Sequence, residues 1–141
     1  MIQPTQVFLD ANIYFAAFAF KAGLSSVIFS LARKGQILIS TIPLVLKEAD
    51  RNLKEAGPEP RNAFHRFLNE VKIQMLPDPP SKEVQKYREW LSPQDALVWA
   101  GVLSSKVFIF LTLDRKNFLD RNLLPGKESL QIKTPLQILR D

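Results

Sequence analysis

Short apolar runs alternate along the chain with longer segments in which apolar side chains recur every three or four positions. Short runs of this kind are typical of strands buried in a parallel sheet, and the longer pattern is typical of helices that cover such a sheet. The pattern predicts three buried strands and two edge strands, at residues 7–9, 37–39, 107–111, 71–75 and 130–132. It predicts helices at residues 13–20, 25–34, 60–69, 81–91, 92–105 and 135–139, with a short helix after Asp114.

One further helix is predicted from its end signals. Ser40 and Thr41 are good capping residues and Pro43 suits a first helical turn, so we expect the helix to begin there and to run to residue 56. Gly57 would end it. The alternation of strands and helices predicts a three-layer α/β/α sandwich with a central, mainly parallel five-stranded sheet, as one domain over residues 1–141.

Four acidic residues stand where these predicted elements begin or end. Asp10 and Asp114 follow buried strands, whose carboxyl ends meet at the edge of the sheet where ligands bind in α/β folds. Glu48 lies at the flank of a helical apolar stripe, and Asp95 lies at the start of a helix. Four converging carboxylates repel one another unless a cation joins them, and oxygen ligands suit Mg²⁺ or Mn²⁺. Glu55 shares the azimuth of Glu48 but lies two turns away, which makes it a poorer ligand.

Each acid also has a purely structural explanation. Asp10 and Asp114 could cap the helices that follow them, because Asp is a favoured capping residue. Ser92 and Asp95 have the spacing of a capping box, and Glu48 could be a solvated helical residue.

Composition narrows the class of protein. The chain is 46% hydrophobic and 23% charged, which is a globular balance. It has no cysteine, which excludes disulfides and thiolate metal sites and is compatible with a reducing cytoplasm. Residues 1–4 do not begin a signal peptide, and polar residues 104–106 interrupt the longest apolar stretch. We therefore expect a cytoplasmic protein with no membrane segment.

The net charge is +5, so basic groups must surround the predicted acidic site. This arrangement suits a polyanion such as RNA or DNA, although many soluble proteins are mildly basic without binding nucleic acid. Arg115 and Lys116 follow the last acid and are candidate phosphate-binding residues, or equally a solvated turn.

An aromatic segment leaves a second question open. The rings of Tyr14, Phe15, Phe18 and Phe20 are either buried by the following helix or partly form a groove for a partner. For His65, the single histidine, a surface or packing role is favoured.

Four segments together are similar to a known family. In order and spacing, these segments resemble the motifs of PIN domains. They are VFLDANIY at residues 7–14, the segment from Ile39 and Ser40 to Glu48, QDA at residues 94–96 and LTLDRK at residues 111–116. The resemblance covers essentially the whole chain. It implies a PIN-like fold and a Mg²⁺- or Mn²⁺-dependent endoribonuclease that hydrolyses single-stranded RNA, of the size of the VapC-like toxins of toxin–antitoxin pairs.

The resemblance also implies roles for individual residues. The metal-binding and catalytic acids would be Asp10, Glu48, Asp95 and Asp114. Asp10 and Asp114 would bind the cation directly, and the other two would act through bound water or as a general base. Asn12 would support the first acid, and Thr112 matches a hydroxyl residue that commonly precedes the last one.

The family also has characteristic partners, and this sequence departs from its pattern at one place. The resemblance implies an RNA substrate and an antitoxin protein, and it leaves a homodimer open. Many relatives carry another acid shortly after the fourth, whereas here residues 115–117 are Arg, Lys and Asn, which weakens the case for a second metal.

Two other functions fit part of the pattern. A phosphatase of the haloacid dehalogenase type normally needs an acid two residues after the first, where Asn12 stands. A catalytically silent PIN domain that binds RNA or acts as a scaffold is the stronger rival, and the presence of all four acids argues against it.

Overall fold

Five short strands form one parallel sheet in the order β3-β2-β1-β4-β5 in the computed structural model, which describes residues 3–21 and 23–140. The strands are β1 Thr5–Leu9, β2 Ile37–Thr41, β3 Gln74–Met75, β4 Ile109–Leu111 and β5 Gln131–Lys133. Each neighbouring pair is parallel. The expected five-stranded parallel sheet is therefore confirmed.

Strand β1 lies at the centre of the sheet, and its last three residues, 7–9, are apolar because both faces of the sheet are covered there. Val7 pairs with Ile39 of β2 on one side and with Ile109 of β4 on the other. The last paired residues of β1 and β4 are Leu9 and Leu111. The chain therefore leaves both strands at the same edge of the sheet.

Helices surround this sheet and complete a three-layer α/β/α arrangement. They are α1 Ala11–Ala19, α2 Leu24–Arg33, α3 Pro43–Ala56, α4 Pro58–Glu70, α5 Ser81–Gln85, α6 Pro93–Ser105 and α7 Pro135–Arg140. A π-helical turn at Arg115–Leu119 and a 3₁₀ turn at Lys127–Ser129 lie between β4 and β5. Helix α1 packs against α2, α3 and α4.

An aromatic cluster joins α1 to its neighbouring helices. The ring of Phe18 lies 5.0 Å from that of Phe29 and 5.7 Å from that of Phe64, and Tyr14 contacts the same two rings. Both Tyr14 and Phe18 are buried, so burial by the following helices is confirmed for these two side chains. Phe20, in contrast, is 67% exposed.

The start of α3 differs from the sequence prediction. Ser40 and Thr41 are fully buried in β2, and the helix begins at Pro43 without a cap from its own flanking side chain. Their backbone pairs with neighbouring strands, and this pairing outweighs their local capping preference. The side chain of Asp78 supplies the cap instead, since its Oδ1 accepts from Leu44 N at 3.0 Å.

Three other predicted elements are shorter than expected. The edge strand predicted at residues 71–75 is reduced to β3, because α4 extends to Glu70 and Val71 N still donates to Phe67 O. The helix predicted at residues 81–91 ends at Gln85, beyond which the chain forms turns. The strand predicted at residues 107–111 is paired only over Ile109–Leu111.

Across residues 3–21 and 23–140, no helix taken alone has the length and apolar character of a membrane span. Helices α1 and α2 meet that description only when they are taken together, and they are bent by 97°.

Candidate metal centre

Four acidic side chains from four different elements line one cavity of about 410 Å³. Asp10 follows β1 and Asp114 lies three residues after β4, while Glu48 projects from α3 and Asp95 from the first turn of α6. The structure thus places all four predicted acids around the same space at the edge of the sheet. Their role as metal ligands stays a prediction.

Asp10 is held in place by both of its carboxylate oxygens. Oδ1 accepts from the backbone N of Ala11 at 2.8 Å, and this bond caps α1. Oδ2 accepts from Thr112 Oγ1 at 2.7 Å and from Asn12 Nδ2 at 3.3 Å. The expected capping role is confirmed, and it leaves further lone pairs on the two oxygens.

Asn12 and Thr112 connect the ends of β1 and β4. Thr112 Oγ1 also accepts from the backbone N of Asp114 at 3.0 Å, and Asn12 Oδ1 accepts from Leu113 N at 3.1 Å. The two side chains approach each other at 3.4 Å between Asn12 Nδ2 and Thr112 Oγ1. This network fixes the separation between the two acids that follow the strands.

Asp114 and Asp95 also lie at the starts of helical elements. Asp114 caps the π-helical turn, because its Oδ1 accepts from Asn117 N and its Oδ2 from Asn117 Nδ2, each at 3.0 Å. At α6 the capping oxygen belongs to Ser92, whose Oγ accepts from the backbone N of Asp95 at 3.3 Å. The capping role is therefore confirmed for Asp114.

The acids influence one another's protonation. Burial raises the pKa of Asp10 to about 6, hydrogen bonds from Thr112 and Ala11 oppose the rise, and the charges of Glu48 and Asp114 add to it. The pKa of Asp95 is raised by burial, against a hydrogen bond with Ser92, and by the charge of Asp114. Among the described residues that line the cavity there is no Lys, Arg or His. The site therefore concentrates negative charge.

The donor chemistry of the cavity fits a hard divalent cation. Within the described ranges, no group of three or more His, Cys, Asp or Glu side chains is already arranged to hold a metal ion. The acids surround the cavity without forming a closed cage. Mg²⁺ usually binds through one or two carboxylates and retains several waters, so an open cavity lined by acids suits it.

The residues after Asp114 lie outside the cavity. Arg115 Nη2 pairs with Asp120 Oδ1 at 3.0 Å on the exposed surface, and Lys116 is exposed. Their binding of phosphate stays a prediction. His65 also lies outside the cavity, on the surface, where its Nε2 is 2.6 Å from Asp50 Oδ1. This position agrees with the surface or packing role expected of it.

Sequence reasoning missed part of the cavity wall. Phe15, Asn52 and Glu55 line the same cavity as the four acids. Asn52 and Glu55 follow Glu48 by four and seven positions on α3, and this spacing places all three on one helical face. That spacing was the available signal, but the distance of Glu55 from Glu48 argued against including it.

Lys127 was also missed. Its Nζ donates to the backbone carbonyls of Phe118, Leu119 and Arg121 at 3.2, 3.2 and 2.8 Å. These bonds satisfy carbonyls at the end of the π-helical turn that Asp114 begins. No local pattern in the sequence marks this contact.

Comparisons with solved structures identify proteins of the same fold. No family model and no curated protein matches the sequence. Among solved structures, the chain is similar to a chain in the structure of VapBC2 from Rickettsia felis, which is bound to a DNA fragment from the VapBC2 promoter. The TM-score is 0.61 and the identity 14%, over 92% of this chain and 98% of the other.

A second solved structure gives the same result. VapC20 from Mycobacterium tuberculosis, described as a sarcin-ricin loop cleaving toxin, matches with a TM-score of 0.61 and 14% identity over 82% of this chain and 95% of its own. The chain therefore has the PIN-like fold of VapC toxins.

The raised pKa of Asp10 predicts a pH dependence of stability in metal-free protein. Its ordinary value is 3.8 and its value in the fold is about 6, so the folded protein binds this proton more tightly than the unfolded chain does. The stabilisation from protonation is complete below about pH 4 and is lost as the pH rises through 6. Its size is on the order of 3 kcal/mol for a shift of about two units.

This dependence is measured by denaturant unfolding from pH 4 to pH 7 in chelator. Asp10→Asn should gain stability relative to the wild type as the pH rises, by about 3 kcal/mol over the range. Asp120→Asn, on the exposed surface outside the cavity, is the matched control and should show no such gain. Parallel pH profiles of stability for wild type and Asp10→Asn would contradict the raised pKa assigned to Asp10.

Proposed function

We propose that this chain is a Mg²⁺- or Mn²⁺-dependent endoribonuclease that hydrolyses single-stranded RNA, and that it is the toxin of a toxin–antitoxin pair. The observation that carries the proposal is the cavity lined by Asp10, Glu48, Asp95 and Asp114 at the edge of the sheet. The fold shared with VapC toxins supports it, since VapC20 is described as a toxin that cleaves the sarcin-ricin loop.

In this proposal Asp10 and Asp114 hold the cation, because hydrogen bonds fix their carboxylates at the ends of adjacent strands. A cation held there would supply an activated water for in-line attack and would stabilise the charge that develops on the phosphoryl oxygens. Asp95 and Glu48 would complete the site through water bound to the cation, or one of them would accept the proton of the attacking water. The ionised form of Asp10 is the one that would hold the cation, and a bound cation would favour that form and so lower the raised pKa of this carboxyl.

The basic charge of the chain supports a polyanionic substrate. A neighbouring groove of about 370 Å³ is lined by Glu48 together with Lys47 and Arg51. Two cations four residues apart on α3 would bind phosphates of a strand that enters the acidic cavity. We assign the same role to Arg115 and Lys116, which follow the last acid and are exposed.

An antitoxin partner is proposed for the exposed apolar side chains where α1 ends and α2 begins. The R. felis neighbour is a VapBC2 complex, which supports a partner protein for this chain. Phe20, Leu24 and Val27 are exposed by 67%, 47% and 41%, where α1 ends and α2 begins. We place the partner there and place the protein in the cytoplasm, where RNA and an antitoxin would meet it. The homodimer stays a prediction.

Cleavage assays test the enzyme. The purified protein should cleave single-stranded RNA with Mg²⁺ or Mn²⁺ and should stop in chelator. Asp10→Asn and Asp114→Asn should each lower turnover by about a hundredfold or more, because charge stabilisation carries much of the catalysis.

The control for these variants is Glu128→Gln, which removes an acid from the exposed surface outside the cavity. It should retain wild-type turnover. A wild-type protein that binds RNA without cutting it would favour the silent PIN domain, and full activity in either site variant would refute the assignment.

Co-purification tests the partner surface. The product of the adjacent open reading frame should co-purify with the wild type, and Phe20→Asp should weaken that complex because it places a charge on the exposed apolar surface. Leu123→Asp, at a residue that is 85% exposed, is the control and should bind normally. Phe18→Asp is unsuitable because that ring is buried in the aromatic cluster. Equal binding by all three proteins would place the partner elsewhere.

A further inference from the structure

The cavity continues beyond the four acids along α3. Glu48, Asn52 and Glu55 follow one another at helical spacing, so Glu55 lies about 10 Å from Glu48 along the helix axis. Phe15 of α1 lines the same cavity. This extension holds an aromatic ring, an amide and a carboxylate.

The polar groups of this extension are available to a ligand. Across the described part of the chain, the side chains of Asn52 and Glu55 make no hydrogen bond or ion pair with the protein. An amide has two donors and one acceptor oxygen, and a carboxylate offers acceptors only. Asn52 is half-buried and Glu55 is exposed, so their free groups offer one amide and one carboxylate to a molecule that enters the cavity.

Phe15 supplies a flat apolar surface in the same space. Its ring is half-buried and is held edge-on by Phe20, with 6.0 Å between the ring centroids. Aromatic rings beside a nucleic-acid path are platforms on which unpaired bases stack.

We propose that Phe15, Asn52 and Glu55 form a nucleobase subsite next to the scissile phosphate, and that Glu55 selects guanine. The inference rests on the proposed ribonuclease function and adds a sequence preference to it. The carboxylate of Glu55 disfavours a phosphate at this end of the cavity, because like charges repel. A base is neutral, and its edge pairs with polar groups that a phosphate cannot use.

The choice of guanine follows from the donors on each base. The Watson–Crick edge of guanine presents two adjacent donors, N1–H and the N2 amino group, which the two oxygens of one carboxylate accept together. The corresponding edges of adenine and cytosine place an acceptor beside the single amino donor, and uracil places its one N–H between two carbonyls. The amide of Asn52 can donate to O6 of guanine, while Phe15 stacks on the ring.

A competing role for Glu55 is as ligand to a second cation. Two-metal sites hold their ions about 3.5–4 Å apart. Glu55 lies about 10 Å along α3 from Glu48, which places it poorly for such a pair. The two roles differ in what Glu55→Gln changes: base preference in one case and cation requirement in the other.

The experiment compares three RNAs that differ only in the nucleoside beside the cleaved bond. That nucleoside is guanosine, inosine or adenosine. Inosine lacks only the N2 amino group. Wild-type kcat/KM should fall from guanine to inosine to adenine, and Glu55→Gln should lower the guanine preference by about 10- to 100-fold, the discrimination typical of one bidentate contact. Phe15→Leu should lower kcat/KM for all three RNAs by about fivefold or more, because a stacking platform is lost. The ratios of kcat/KM among the three RNAs should stay unchanged, because stacking is tolerant of sequence.

Glu128→Gln, at an exposed residue outside the cavity, is the matched control and should preserve the wild-type preference. Binding of the same three oligonucleotides to Asp10→Asn, followed by fluorescence anisotropy, reports on the subsite without cleavage. If the wild type cuts no RNA but Asp10→Asn still prefers guanine, the ribonuclease proposal fails and the subsite stands. If Glu55→Gln keeps the wild-type base ratios, or only raises the Mg²⁺ concentration required, the subsite is refuted.

Discussion

The parallel pairing of β1 with β4 is the constraint on which the site depends. Because Leu9 and Leu111 are paired, the chain leaves both strands side by side. The hydroxyl of Thr112 then binds the carboxylate of Asp10 and the backbone of Asp114 at once. A single hydroxyl thus connects the two acids that we assign as direct metal ligands.

This arrangement is costly without a cation. Asp10 is buried, and its pKa is raised first by that burial and then by the charges of Glu48 and Asp114. No basic side chain among the described lining residues offsets those charges. Under the proposed function, a cation bound between these carboxylates would relieve their repulsion, and that relief would add to the affinity of the site for the ion. The capping bonds of Asp10 and Asp114 hold their carboxylates in position meanwhile.

The parts of the fold that could be predicted were those determined by local pattern. Apolar runs identified β1 and the order of strands and helices, and an acid after a buried strand was enough to place Asp10 at the edge of the sheet. The start of α3 could not be predicted, because Ser40 and Thr41 favour capping locally whereas the actual cap comes from Asp78, far along the chain.

The same limit applies to the cavity wall. The sequence disfavours Glu55 as a metal ligand because it lies two turns from Glu48. Only the packing of α1 against α3 shows that the cavity extends as far as Glu55. The contacts of Lys127 with three carbonyls likewise depend on how the segment after Asp114 folds. Tertiary packing decided these features, and one sequence does not display it.

The central claim is that the four acids share one cation, and thermal unfolding with and without Mg²⁺ tests it without any substrate. A ligand that binds only the folded protein at a hundredfold excess over its dissociation constant stabilises it by about 2.7 kcal/mol. For a chain of this length that raises Tm by several degrees. The wild type should show this rise, and Asp10→Asn should lose most of it. Equal shifts in the two proteins would mean that the acids do not bind one ion together and that capping alone explains their positions.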